Sequence, residues 1–251
     1  MTSKYVPFVF SKKTVAMQRI SDAVRIGYHY AVSGTIPLEK AQSFCEKQAE
    51  RYDLAWSPVR TRAARKAGQA VYRLLLLVEE NSPDTVQWWL LRTDGSMMPE
   101  AQREQWRNAL KDRITIGAYE LVRQTKAGAD HPVWTWRMEK DREQALRDSV
   151  VLLIRQKRDA QLEALIESVW RAPGFSGIRE QIKKTARLIH QEWKRSRSQD
   201  EVMPAIPARI GYLRRLPSVG RTLDELTSGK PRQRGVRKGR SVGRLLNLGT
   251  H

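Results

Sequence analysis

The sequence predicts an α+β protein in three parts. These are a ferredoxin-like (RRM-like) β-α-β-β-α-β domain over 1–138, an appended helical segment over 139–200, and a Pro/Gly/Arg-rich basic tail over 201–251. Three observations carry this reading. Before residue 139, aromatic and apolar residues alternate at period two in several runs, the pattern of half-buried strands. After it they recur at helical spacing. Beyond about residue 200, proline, glycine and arginine displace large apolar side chains.

The elements follow in order. VRIGYHYAVSGTI (24–36) sets Val24, Ile26, Tyr28, Tyr30 and Val32 on one face and Arg25, Gly27, His29 and Ala31 on the other, which reads as a strand. Pro37 then opens a helix through Leu38, Ala41, Phe44, Cys45, Ala49 and Tyr52. SPVRTRAARKAGQ reads as a basic loop. VYRLLLLVEE and TVQWWLLRTDG, separated by NSPD, read as a hairpin, because Asn81, Pro83 and Asp84 are turn formers. PEAQREQWRNALKD (99–112) looks like a polar helix, and ITIGAYELVRQ and PVWTWRME give two more strands. The first six elements spell the ferredoxin-like order, a frame that hosts many functions.

From residue 139, Leu146, Val150, Leu153 and Ile154 form one helical stripe, continued by Leu162, Leu165, Ile166 and Val169 up to Pro173-Gly174. A second helix carries Ile178, Ile182, Ile189 and Trp193 opposite Arg179, Lys183, Lys184, Arg187, Lys194, Arg195 and Arg197. The prolines of EVMPAIPARIGYLRRLP forbid a continuous helix. Beyond 220 little autonomous structure is expected.

The charge points to a partner. Among 251 residues, 46 Lys+Arg face 27 Asp+Glu, a net charge of +19. Self-repulsion on this scale opposes compaction, and a polyanion supplies the missing counter-charge. No apolar run is long enough to span a bilayer and no secretory leader opens the chain, so a cytoplasmic protein is expected, with no membrane as partner. One cysteine, Cys45, and scattered histidines give no disulfide framework and no metal-ligand spacing, so neither cofactor nor metal is expected. Eight tryptophans argue for a real core.

Three basic clusters are the candidate nucleic-acid contacts. The first is Arg60, Arg62, Arg65 and Lys66. The second is the helix face with Arg179, Lys183, Lys184, Arg187, Lys194 and Arg195. The third is the tail, with Arg232, Arg234, Arg237, Lys238, Arg240 and Arg244. Guanidinium forks match phosphate oxygens, and glycines let the tail backbone lie close to a polyanion. Residues 207–251 hold eleven Lys/Arg against Asp224 and Glu225. Aromatics on the strand candidates favour RNA, whose unpaired bases stack on sheet side chains, with DNA as the second possibility. Trp88 and Trp89, being adjacent, should point to opposite faces. His29 with Arg25 on one strand face forms a candidate catalytic pair: histidine as base on a ribose 2′-hydroxyl, arginine on the charged transition state.

The element order, the appended helices and the stretch RGVRKGRSVGRLLNLG together resemble the CRISPR RNA-processing endoribonucleases of the RAMP superfamily. The resemblance implies metal-independent cutting of a structured RNA repeat, with the product kept bound, sometimes within a ribonucleoprotein complex. His29 and Arg25 are the positions it would carry over. The family usually shows two ferredoxin-like halves, whereas the second half here reads as helical. The glycines at 235, 239, 243 and 249 are loosely spaced. A non-enzymatic nucleic-acid-binding protein of a plasmid or mobile element, for replication or conjugation, is the alternative.

Overall fold

The computed structural model describes residues 5–125, 128 and 130–228. It is a mixed α+β fold in which one helix is sandwiched between two sheets. Strands β1 (Phe8–Phe10), β2 (Tyr30–Pro37), β3 (Tyr72–Glu79), β4 (Ser82–Arg92), β5 (Arg107–Asn108) and β9 (Gly220–Thr222) form a six-stranded sheet in the order β5-β2-β4-β3-β1-β9. Within it β1 runs parallel to β3 and the other pairs are antiparallel. Strands β6 (Ile114–Ile116), β7 (Tyr119–Thr125) and β8 (Pro132–Met138) form a second, antiparallel sheet.

The first sheet is buried on both faces, which explains the unbroken apolar run LLLL in β3. Leu75, Leu77, Trp89 and Leu91 share a core with Val15, Ala16, Met17 and Ile20 of α1 (Lys13–Arg25). Leu74, Leu76, Val86 and Leu90 face Ala41 and Cys45 of α2 (Ala41–Arg51). The far side of α1 meets the second sheet through Trp136, whose Nε1 donates to the Met17 carbonyl at 2.9 Å and to Ser21 Oγ at 2.8 Å. Helices α4 (Lys140–Arg155), α5 (Asp159–Trp170) and α6 (Ser176–Ser196) extend the same cluster through Leu146, Ile154, Leu162 and Ile182. Gln181 of α6 clamps the end of β8, accepting from Met138 N at 2.7 Å and donating to its carbonyl at 3.0 Å.

Several sequence expectations are corrected. The run KTVAMQRISDAVR folds as α1, so Val24 and Arg25 end a helix and the strand begins only at Tyr30. The alternation at 24–28 is a coincidence of the helix's last turn with Gly27, whose φ of +100° ends it. Residues 58–66 form helix α3 (Pro58–Lys66), and residues 99–112 form a short 3-10 turn and β5 in place of a helix. A strand and a helix precede β2, two helices stand between β2 and β3, and among the described residues no α-helix follows β4 before β6. The β-α-β-β-α-β order is therefore not seen; the observed order begins β-α-β-α-α-β-β. The stripe after 139 is broken into α4 and α5 at Lys157, which takes a φ of +54°. Residues 220–227 are ordered: β9 extends the sheet edge beside β1, and α7 (Leu223–Thr227) follows behind a Thr222/Glu225 capping box. The β3–β4 hairpin, β7, β8 and α6 form where the sequence places them.

Candidate nucleic-acid interface

Helix α3 is set by a few local devices. Ser57 caps it, its hydroxyl accepting from Arg60 N at 3.3 Å, and Pro58 occupies the first turn. Arg65 and Lys66 lie in the last turn, where the helix dipole favours cations. Only Ala64 is buried, so packing alone holds this helix weakly. Arg65 ties it down: Nη2 donates to the Ile26 carbonyl at 2.8 Å. Gly27 makes this possible, since a Cβ there would stand 2.9 Å from that nitrogen. The turn after α3 is locked to the turn after β4 by Ala70 N to Ser96 O and Ser96 N to Gly68 O, each 2.9 Å.

Between α3 and the start of β3 lies a cleft of about 490 Å³. Tyr5, Tyr28, Trp56 and Tyr72 supply its aromatic lining, Ile26, Leu54 and Leu74 its aliphatic lining, and Arg62, Arg65 and Arg73 its charge; among the described residues no acid lines it. The guanidinium of Arg73 lies 4.9 Å from the centre of the Tyr28 ring and that of Arg65 lies 5.9 Å from it. Arg60 stacks at 4.4 Å on Trp56, whose indole also borders a second cleft on the other side of α3, lined by Ala63, Ala67, Met97 and Met98. Among the described residues, Arg60, Arg62, Arg65, Lys66 and Arg73 have no carboxylate within ion-pair reach. Aromatic rings orient Arg60, Arg65 and Arg73, and the Ile26 carbonyl holds Arg65, without neutralising their charge, which suits a phosphate-bearing ligand.

Helix α6 presents a second basic surface. Lys183, Lys184, Arg187, Lys194 and Arg195 are exposed. Arg179 stacks at 5.3 Å on Tyr212, a largely exposed aromatic residue, and both border a cleft of about 610 Å³ with Lys183 and Lys184. Two of the arginines on this side of the molecule are structural. Arg195, together with Arg155 of α4, holds the buried carboxylate of Glu192 at 2.6 and 2.7 Å, and these bonds pull the Glu192 pKa down to about 2. Arg197, expected on the basic face, is half-buried with its side chain covered and pairs with Asp159 and Glu201, and its guanidinium lies 4.3 Å from the Trp193 ring centre.

His29 and Arg25 are not neighbours on a strand. Arg25 is exposed on the last turn of α1, and His29 lies half-buried just before β2; no hydrogen bond or ring contact joins them among the described residues. His29 has other company: its Nδ1 is 3.7 Å from Asp94 and its ring centre 6.5 Å from that of Trp134. Asp94 also accepts from the Tyr30 hydroxyl, which raises the Tyr30 pKa. Beside them Arg92 is buried, 3.8 Å from the ring centre of Tyr30 and 5.1 Å from that of Trp106, and desolvation lowers its pKa.

Arg73 and Arg92 lie outside the three clusters that the sequence singles out, although each carries a readable signal: a lone cation at the end of an apolar strand run. Trp88 and Trp89 do lie on opposite faces. Trp89 is buried on the α1 side, and Trp88 packs against Phe44 and above Gly34, where a Cβ would stand 2.9 Å from the indole. Arg232, Arg234, Arg237, Lys238, Arg240, Arg244 and the glycine-rich stretch lie outside the described residues. Among the described residues no helix is long and apolar enough to cross a membrane. Comparison of the chain with protein-family models, curated proteins and solved structures gave no match.

Proposed function

We propose that this chain binds RNA, with helix α3 and its flanking clefts as the ordered centre of the interface and α6 and the basic tail as its extensions. The observation that carries the reading is the cleft that Arg62, Arg65 and Arg73 line together with aromatic side chains, Arg65 and Arg73 lying over the Tyr28 ring, with no acid among its described lining residues. Cations attract phosphates, and rings and guanidinium groups stack bases; duplex DNA offers its base faces to neither. The test is direct binding of a hairpin RNA and a duplex DNA at physiological salt, by electrophoretic mobility. Tighter, salt-sensitive binding of the RNA supports the reading. Preference for duplex DNA favours the plasmid or mobile-element alternative, and binding of neither overturns both.

The enzymatic form of this reading is a metal-independent endoribonuclease of the CRISPR RNA-processing type. Its support is the His29–Asp94 pair, because a carboxylate near one ring nitrogen orients an imidazole for proton transfer through the other. In that reaction His29 takes the proton of a ribose 2′-hydroxyl, and the oxygen attacks the adjacent phosphorus. The bond to the 5′-oxygen breaks, leaving a 2′,3′-cyclic phosphate, and the departing 5′-oxygen takes a proton from solvent to become a 5′-hydroxyl. Arg25, exposed nearby in sequence, is the proposed partner for the phosphorane charge. Cyclic-phosphate ends formed from hairpin RNA in EDTA support the enzyme, and intact RNA over all substrates overturns it.

A further inference from the structure

We infer that the cleft between α3 and β3 holds a single unpaired nucleotide, its base against the apolar wall and the Arg73 guanidinium, and its phosphate on Arg62. The inference rests on the RNA-binding reading and adds the form of the ligand: RNA at a point where one nucleotide has left its helix. A cleft of about 490 Å³ has the capacity of an ordinary small-molecule site. Paired RNA presents phosphates, sugars and groove edges, and an array of exposed cations suffices to meet them. Such a ligand gains nothing from a concave wall of Leu54, Leu74 and Trp56, because its base faces stay inside the stack.

The polar groups of the cleft fit the same ligand. The Arg73 guanidinium, held 4.9 Å from the Tyr28 ring centre, offers a base a charged surface on which to stack. Arg65 is committed to the Ile26 carbonyl, which leaves Arg62, exposed and without an acidic partner among the described residues, to meet a phosphate. The hydroxyls of Thr61 and Tyr28 line the cleft and form no hydrogen bond among the described residues, so each is available to a base edge.

The test uses the full chain and an RNA duplex with one bulged 2-aminopurine, compared with the fully paired duplex and with the same duplex carrying an abasic bulge. The expected result is a change in 2-aminopurine emission on binding, and affinity for the abasic bulge lower by about 5- to 150-fold, the usual worth of one stacked base. Two variants should abolish the emission change: Arg62→Ala/Arg73→Ala, which removes the cations, and Thr61→Trp, which fills the cleft. Thermal melting of each variant separates loss of the site from loss of the fold, and the two changes have different structural risks. If all three duplexes bind equally with no emission change, the nucleotide pocket is overturned and RNA binding stands. If none binds, both readings fall.

Discussion

Gly27 and Arg65 are fitted to one another: the glycine adopts a φ of +100°, and a Cβ on it would stand only 2.9 Å from the arginine's Nη2, which donates to the Ile26 carbonyl. This hydrogen bond is what joins the weakly packed α3 to the end of α1. Gly27→Ala therefore meets two penalties, a left-handed backbone and a displaced guanidinium. Destabilisation of about 1–2 kcal/mol is expected, visible as a drop in melting temperature. Binding of hairpin RNA should weaken beyond what that loss explains, because α3 loses its anchor.

Arg60, Arg62 and Lys66 are exposed and have no carboxylate partner among the described residues, so each is free to neutralise a phosphate. The triple alanine variant should keep its fold, since these exposed side chains make no ion pair among the described residues and the Arg60–Trp56 contact is worth only about 0.5–1 kcal/mol at an exposed site. The slope of log affinity against log salt should become shallower by about 2, at roughly 0.7 for each phosphate that is no longer neutralised. An unchanged slope would place the phosphate-binding cations elsewhere.

His29→Ala separates binding from cutting. If His29 is the base, hairpin RNA should still bind within about twofold, while formation of cyclic-phosphate ends in EDTA falls by at least the roughly 100-fold that a general base contributes. Asp94→Asn should lower the rate less, because it removes the orienting carboxylate and keeps the imidazole.

Glu192 links stability to pH. Hydrogen bonds from Arg195 and Arg155 lower its pKa from 4.5 to about 2. A depressed carboxylate pKa stabilises the fold above the unfolded value, and that stabilisation is lost as pH falls through the folded one. Glu192→Gln should therefore melt below the natural chain at neutral pH. The gap should close between pH 4.5 and about 2, followed as melting temperature against pH.

Trp136 is fully buried, and its N–H serves both Met17 and Ser21 of α1. Trp136→Phe removes the donor and part of the packing between α1 and the second sheet. A loss of about 2–4 kcal/mol is expected, measured by denaturant unfolding.

Much of this architecture is legible locally. The β3–β4 hairpin shows in its turn residues and flanking apolar runs, and α6 shows in the spacing of Ile178, Ile182, Ile189 and Trp193. Helix α3 is hard to read because its apolar face is reduced to Ala64, leaving nothing periodic. Its capping serine, Pro58 and terminal cations are the signals that mark it. The end of α1 is obscured by the false alternation of Tyr28, Tyr30 and Val32, in which Tyr28 precedes the strand.

By itself the sequence determined that this protein is basic, that it has an α+β body, and that positive charge gathers at 60–66 and along α6; composition and periodicity are local properties and survive any arrangement of the elements. Tertiary structure decided which cations stay available. It took Arg197 and Arg195 into ion pairs, and it put Arg25 on the last turn of α1 and His29 ahead of β2. It brought Arg73 from β3 beside Arg62 and Arg65 from α3, around Tyr28. A charge becomes a binding group only when no nearby carboxylate neutralises it, and in a folded chain that depends on residues far away in sequence.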